Sequence, residues 1–186
     1  TSGPNDLRVT AAKITSKLKL TNALPALFDV VADTKSATVV RVAALEALSD
    51  LKAPRLADAV QLVQTDADET VRIQANRLFI RLNPKDAAPL LARLLDAGTI
   101  REQQDALGAL AGIGDKAKAD ALFAGAFEKL LAGQLPPELQ LDLIEHTRNR
   151  TNALVKTKFD AWKERKGTND PLADWRETFH GGNAEE

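Results

Sequence analysis

The sequence contains no cysteine, methionine or tyrosine, and only 4% of its 186 residues are aromatic. Without cysteine there is no disulfide framework, no thiol nucleophile and no thiolate metal site. A net charge of −1 gives no electrostatic basis for binding nucleic acid. Charged residues also interrupt every apolar run before it reaches the length that spans a bilayer. We therefore expect neither nucleic-acid binding nor membrane insertion by this segment.

Alanine and leucine dominate the hydrophobic residues, which make up 44% of the chain. Both residues have high helix propensity, and small side chains allow helices to approach one another closely. The composition therefore predicts an all-α fold.

One apolar pattern returns along the chain at a fixed spacing. Segments 40–48 and 71–79 have the same apolar skeleton, and 71 − 40 gives a period of 31 residues. Segment 102–110 repeats it after a further 31 residues. A period of about 31 with two helices per unit indicates an α-solenoid, in which each unit stacks on its neighbours.

The repeat predicts the domain organisation. We expect a right-handed α-α superhelix of about four and a half repeats over residues 5–150, with an inner helix that carries the pattern and an outer helix before it. Residues 151–180 are expected to form C-terminal capping helices that include Leu172, Trp175 and Phe179. Residues 181–186 are predicted to be a linker to a missing downstream domain.

The first helix matches the inner type, because Leu7-Arg8 aligns with Val40-Arg41. Its apolar residues lie at i, i+4, i+7 and i+11, which places them on one apolar face: Leu7, Ala11, Ile14 and Leu18. The chain is thus expected to open with the second helix of a repeat whose first helix is missing, as in a fragment of a larger protein.

Further signals predict buried stripes and helix starts. Ser36 is the expected N-cap of one inner helix, Asp66 or Asp68 caps the next, and Thr99-x-x-Glu102 is typical of a capping box. The stripe of one outer helix is predicted at Leu56, Ala59, Val60 and Val63.

Charged positions on the inner helices suggest a structural ladder. Glu46 and Asp50 face away from the apolar side, and Arg77 and Arg81 follow one period later. Stacking would bring equivalent positions side by side, so we predict Glu46–Arg77 and Asp50–Arg81 pairs across the concave face. The alternative is a ligand-binding charge patch.

Arg8, Arg41 and Arg72 are interpreted as structural residues that bond carbonyls and acids in the adjoining turn.

Candidate catalytic chemistry is sparse. His146 and His180 are the only histidines, and neither has a second ligand at metal-binding spacing. No Gly-x-Ser-x-Gly elbow is present. We therefore predict no catalytic, cofactor-binding or metal-binding residue and no cofactor. Contacts to a protein partner are expected instead in a shallow concave groove lined by Gln74, Arg77, Arg81 and Asp105.

The pattern Val40-Arg41-x-x-Ala44-Leu45-x-Ala47-Leu48, with Ala106-Leu107-x-Ala109-Leu110-Ala111-Gly112-Ile113-Gly114-Asp115, resembles HEAT-like repeats of the phycobilisome-lyase type. The resemblance implies a HEAT-like solenoid, a fold that occurs in lyases, adaptors and scaffolds alike.

Residues 175–186, Trp-Arg-Glu-Thr-Phe-His-Gly-Gly-Asn-Ala-Glu-Glu, resemble a junction in planctomycete- and verrucomicrobial-type membrane-bound dehydrogenases. There a HEAT region leads into a c-type haem domain. This resemblance implies part of an exported, periplasmic redox protein, although the present chain has no Cys-x-x-Cys-His for a haem.

The function expected from these observations is a non-catalytic helical-repeat scaffold that binds a protein partner or neighbouring domains of the same polypeptide. The alternative is a bilin-lyase-like or DNA-glycosylase-like HEAT enzyme or enzyme subunit. An apolar or aromatic pocket on the inner helices would favour the enzyme, and a shallow groove would favour the scaffold.

Overall fold

In the computed structural model, which describes residues 3–169, the chain is all helical, as its composition predicts. These residues form ten α-helices and a 3-10 turn at Thr21–Ala23, with no strand among them. The helices are α1 (Pro4–Lys17), α2 (Leu24–Ala32), α3 (Thr38–Asp50), α4 (Leu56–Val63), α5 (Glu69–Leu82), α6 (Ala87–Ala97), α7 (Ile100–Gly112), α8 (Lys116–Leu131), α9 (Pro137–Thr147) and α10 (Ala153–Asn169).

The described chain divides into two compact units, with the boundary between Ala109 and Leu110 inside α7. The predicted repeat segment, residues 5–150, extends over both units. In the first unit α1 packs on α3 and α3 packs on α5. We term these helices and α7 the inner helices, and α2, α4 and α6 the outer helices. Helix α2 packs on α3 and α4, and α4 packs on α5, so each of these outer helices covers the inner helix that follows it.

The core of the first unit lies between its inner and outer helices. The stripe predicted on α4 is confirmed, since all four of its residues are buried: Leu56, Ala59, Val60 and Val63. The apolar face predicted on α1 is not part of this core. Leu7, Ile14 and Leu18 are exposed, and Ala12 is the buried residue of this helix. The reason is that α1 turns its Arg8 and Ala12 side, rather than its leucine side, toward α3.

In the second unit α8 packs against α9 and α10. Its core contains Phe123 and Phe127 of α8, both fully buried, and Val155 and Phe159 of α10. The Phe127 and Phe159 rings meet edge to face with centroids 6.0 Å apart. Helix α10 falls within the predicted capping segment 151–180, whereas Leu172, Trp175, Phe179 and the linker 181–186 lie outside the described residues.

Side-chain caps explain where several helices begin. Asp68 accepts hydrogen bonds from the Thr70 and Val71 amides, so it caps α5 as one of the two predicted candidates. The capping box at Thr99 and Glu102 is confirmed in both directions. The Thr99 amide donates to the Glu102 carboxylate at 2.9 Å, and the Glu102 amide donates to the Thr99 hydroxyl at 3.3 Å.

The predicted cap at Ser36 is wrong. Ala37 occupies the N-cap of α3 and makes no side-chain bond. The Ser36 hydroxyl donates to Asp33 at 2.7 Å and accepts from Arg8 at 2.9 Å. Because the Ser36 hydroxyl makes these two bonds, it does not cap the free amides at the start of α3.

Glycine is required where α6 ends. A Cβ at Gly98 would lie 2.6 Å from the Leu94 carbonyl oxygen, closer than a side chain can approach. The glycine therefore allows the tight turn that places the capping box of α7 directly after α6.

Candidate functional site

The arginines at the starts of the inner helices make structural bonds. The Arg41 Nε donates to the Val31 carbonyl at 3.0 Å, and its Nη1 and Nη2 donate to the two Asp66 carboxylate oxygens at 3.0 and 2.5 Å. Both side chains are buried, with 4% of Arg41 and 9% of Asp66 exposed. The hydrogen bond from Arg41 lowers the pKa of the Asp66 carboxyl below its ordinary value. This pair joins α3 to the turn before α5.

Arg72 repeats the arrangement one period later. Its Nε donates to the Glu102 carboxylate at 2.7 Å, and its Nη1 donates to the carbonyls of Asp66 and Ala67. The bond from Arg72 lowers the pKa of Glu102. At the equivalent position the uncharged Gln103 donates to the Leu95 carbonyl, at 3.0 Å. The predicted bonds to carbonyls and acids are therefore present at Arg41 and Arg72, whereas Arg8 donates to the Ser36 hydroxyl.

An open groove of about 680 Å³ lies on the inner helices of the first unit. Residues of α3, α5 and α7 line it: Val42, Glu46, Thr70, Ile73, Gln74, Arg77, Arg101, Gln104, Asp105, Gly108 and Ala109. We term this surface the inner groove. None of its lining side chains is aromatic, and none is histidine.

The lining residues recur with the sequence period. Val42, Ile73 and Gln104 are successive residues of one series, because 73 − 42 and 104 − 73 both equal 31. Four series of this kind account for every lining residue except Ala109: 42/73/104, 46/77/108, 70/101 and 74/105. Equivalent positions of three inner helices thus form one surface.

Three of the four predicted partner contacts meet in the inner groove. Gln74, Arg77 and Asp105 line it, whereas Arg81 is not among its lining residues and donates to the Ser49 hydroxyl at 3.4 Å. The Arg77 Nε donates to Asp105 at 2.7 Å, although 58% of the Arg77 side chain stays exposed. Glu46 and Asp105 supply two negative charges and Arg77 and Arg101 two positive ones, so the lining is neutral overall.

The predicted ladder needs a correction. Neither Glu46–Arg77 nor Asp50–Arg81 is among the ion pairs formed within residues 3–169. Arg77 pairs instead with Asp105 of the following inner helix, where 16% of the carboxylate is exposed. A carboxylate so shielded from water holds a guanidinium better than the exposed Glu46 does.

Sequence reasoning did not identify Arg101 or Glu69. The Glu69 carboxylate accepts from the Thr99 hydroxyl at 2.6 Å and from the Arg101 guanidinium at 3.0 Å. The Thr99 bond lowers the pKa of Glu69. The 31-residue period could have identified Arg101, because this residue lies 31 positions after Thr70, at the start of the equivalent helix.

The other candidate features carry little chemistry. His146 is half-buried on α9, and His180 lies outside the described residues. Over residues 3–169 the structure contains no group of three His, Asp or Glu side chains that could hold a metal ion. None of the helices in this range has the length and apolar character needed to cross a bilayer.

No protein-family model, curated protein or solved structure matches this chain.

Proposed function

We propose that the chain is a non-catalytic helical-repeat scaffold that binds a protein partner through the inner groove. In this proposal the helices belong to a HEAT-like α-α superhelix of about four and a half repeats. The observation that carries it is the lining of the groove, which consists of residues spaced by 31 on three inner helices. Stacked repeats produce such a surface because each repeat presents the same positions to the same side.

Side-chain partners about one period apart also support stacking. Arg72 and Glu102 are 30 residues apart, and Arg77 and Asp105 are 28 apart. In the second unit Arg150 reaches back 30 residues to Asp120. Bonds of this separation connect each repeat to the next and not to a distant one, as expected for a fold that extends in one direction.

The chemistry of the inner groove suits an extended peptide segment. The Gln74 amide can both donate to and accept from a peptide backbone, and Arg77 keeps most of its side chain in contact with solvent. Val42 and Ile73 supply apolar contact between the charged side chains. Opposite charges side by side favour a partner segment that also carries both signs.

The enzyme alternative receives less support. The inner groove lacks the aromatic side chains expected for bilin or flipped-base chemistry. An apolar cavity does lie between α1, α2 and α3, but its volume is about 210 Å³. Small-molecule sites measure roughly 300–1,000 Å³, so we favour a packing gap lined by alanines over a substrate pocket.

The proposed link to a c-type haem domain depends on Trp175–Glu186, which lie outside the described residues. It stays a prediction from sequence, and so does the exported location. The scaffold proposal does not depend on it, because the inner groove is formed within residues 42–109.

Peptide display tests the proposed site. Random peptides selected on the full chain should enrich for binders, and the double variant Gln74→Ala/Arg77→Ala should weaken their binding at least about tenfold, which corresponds to about 1.4 kcal/mol. The matched control replaces the same residue types on outer helices, Gln61→Ala/Arg93→Ala, and should bind as the parent does. Circular dichroism confirms that both variants are folded. Equal binding by the groove variant and the control, or no enrichment, contradicts the proposal.

A further inference from the structure

One side of the inner helices α1, α3 and α5 carries like charges in pairs. The pair on α1 is basic, the pair on α3 is acidic, and the pair on α5 is basic again. The two members of each pair are spaced i, i+4, so they lie on the same side of their helix. We term these pairs the charge bands: Lys13/Lys17, Glu46/Asp50 and Arg77/Arg81.

The charge bands occupy equivalent positions of neighbouring helices. Arg8, Arg41 and Arg72 stand at the starts of α1, α3 and α5, and each band follows its arginine, because 13 − 8, 46 − 41 and 77 − 72 all equal 5. Helix α1 packs on α3, and α3 packs on α5. The bands therefore lie side by side in the order positive, negative, positive. Glu46 and Arg77 also line the inner groove.

The charge bands do not neutralise one another by direct contact. All six side chains are exposed, and within residues 3–169 no ion pair joins one band to the next. Arg77 pairs with Asp105 of α7 instead. Glu46 and Asp50 form no salt bridge to any residue of that range. The acidic band of α3 thus stands between two basic bands with its carboxylates open to solvent.

Helix stability does not account for this distribution of charge. Like charges one turn apart destabilise a helix, whereas opposite charges at the same spacing stabilise it. Three successive inner helices nevertheless carry a like-charge pair, and the sign alternates only from helix to helix. An arrangement that costs each helix some stability and leaves its charges exposed is better explained by recognition of a partner.

The spacing of the bands matches one kind of extended chain. Packed helices lie about 8–10 Å apart. A polyproline II segment has three residues per turn and rises about 3.1 Å per residue, so every third side chain points the same way, about 9 Å after the last. In a β-strand, by contrast, residues i and i+3 point to opposite faces. A polyproline II segment that crosses the three helices therefore presents one side chain to each band.

We propose that the charge bands bind a polyproline II segment of a partner protein with the pattern acidic-x-x-basic-x-x-acidic. Its two acidic side chains meet the bands of α1 and α5, and its basic side chain meets the band of α3. This inference names the partner class for the inner groove and rests on the proposed function, because the segment crosses the groove at Glu46 and Arg77.

Two peptides of equal composition test the pattern. Labelled Glu-Pro-Pro-Lys-Pro-Pro-Glu, with blocked ends, should bind the full chain at least about tenfold more tightly than Glu-Pro-Pro-Glu-Pro-Pro-Lys at an ionic strength of about 0.01 M. Both peptides have the same net charge, so only the order of charges differs. The preference should shrink at about 1 M salt, where the Debye length falls to about 3 Å. Fluorescence anisotropy measures both affinities.

Two variants of the protein separate the acidic band from general charge effects. Glu46→Gln/Asp50→Asn should weaken binding of the first peptide at least about threefold. The matched control Asp29→Asn/Asp58→Asn removes the same charge from exposed positions on α2 and α4 and should bind as the parent does. Circular dichroism confirms that both variants are folded. Equal binding of the two peptides, no binding of either, or equal losses in the two variants overturns the inference.

The peptide-display experiment distinguishes this failure from failure of the proposed function. If displayed peptides still depend on Gln74 and Arg77 while the two proline peptides bind alike, the scaffold proposal stands and only the charge pattern is wrong. If no displayed peptide depends on Gln74 and Arg77, the proposed function fails, and this inference fails with it.

Discussion

Replacing Arg41 by methionine is expected to lower the free energy of unfolding by about 3–5 kcal/mol. The side chain is 4% exposed, and it satisfies both the Asp66 carboxylate and the Val31 carbonyl. Methionine fills a similar volume but leaves the buried carboxylate without its counter-charge and the carbonyl without its donor. Urea denaturation followed by circular dichroism measures the loss, and thermal unfolding should show a midpoint lower by roughly 10 °C.

An exposed ion pair provides the control. Lys156 and Asp160 on α10 are 67% and 47% exposed, so Lys156→Met should change stability by less than about 0.5 kcal/mol. A double-mutant cycle with Asp66→Asn then measures the Arg41–Asp66 coupling. Because either single change breaks the same pair, the double variant should lose clearly less than the sum. Additive losses would show that the pair does not stabilise the first unit.

The second large effect is expected from Phe127→Ala, at about 3–5 kcal/mol. Phe127 is fully buried and meets Phe159 edge to face, so the change opens a cavity between α8 and α10 and removes an aromatic contact. Phe127→Leu, which keeps most of the volume, should cost clearly less. Chemical denaturation of the three proteins measures the difference.

Leu154, an exposed apolar residue of α10, provides the control for the Phe127→Ala prediction. It lies near the start of α10, where 52% of it is exposed, so Leu154→Ala should lose under about 1 kcal/mol. Similar losses for Leu154→Ala and Phe127→Ala would contradict the packing of α8 on α10 around the phenylalanines.

Several elements could be predicted from the sequence because their signals are local. The α4 stripe follows from helical spacing, and the Thr99–Glu102 box follows from the chemistry of a free helix end. The 31-residue period predicts that Gln74, Arg77 and Asp105 lie on one surface, and the structure places all three in the inner groove. Such signals need no knowledge of distant residues.

The wrong or corrected predictions concern tertiary choices. Periodicity shows that Leu7, Ile14 and Leu18 share a face of α1, but it does not show whether another helix covers that face. Equivalent positions suggested Glu46 as the partner of Arg77. The long arginine side chain reaches Asp105 on the other side instead, a choice set by local burial and not by spacing.

Excision of one period tests the stacked-repeat proposal most directly. Deleting residues 41–71 joins Val40 to Arg72, which restores the Val-Arg pattern and keeps the Arg72–Glu102 pair. Stacked repeats contact only their neighbours, so the shortened chain should keep its helix content per residue and unfold cooperatively, though at a lower temperature. Deleting residues 41–76 joins Val40 to Arg77 out of phase and should abolish the cooperative transition. If the two deletions behave alike in thermal unfolding by circular dichroism, the stacked-repeat proposal is contradicted.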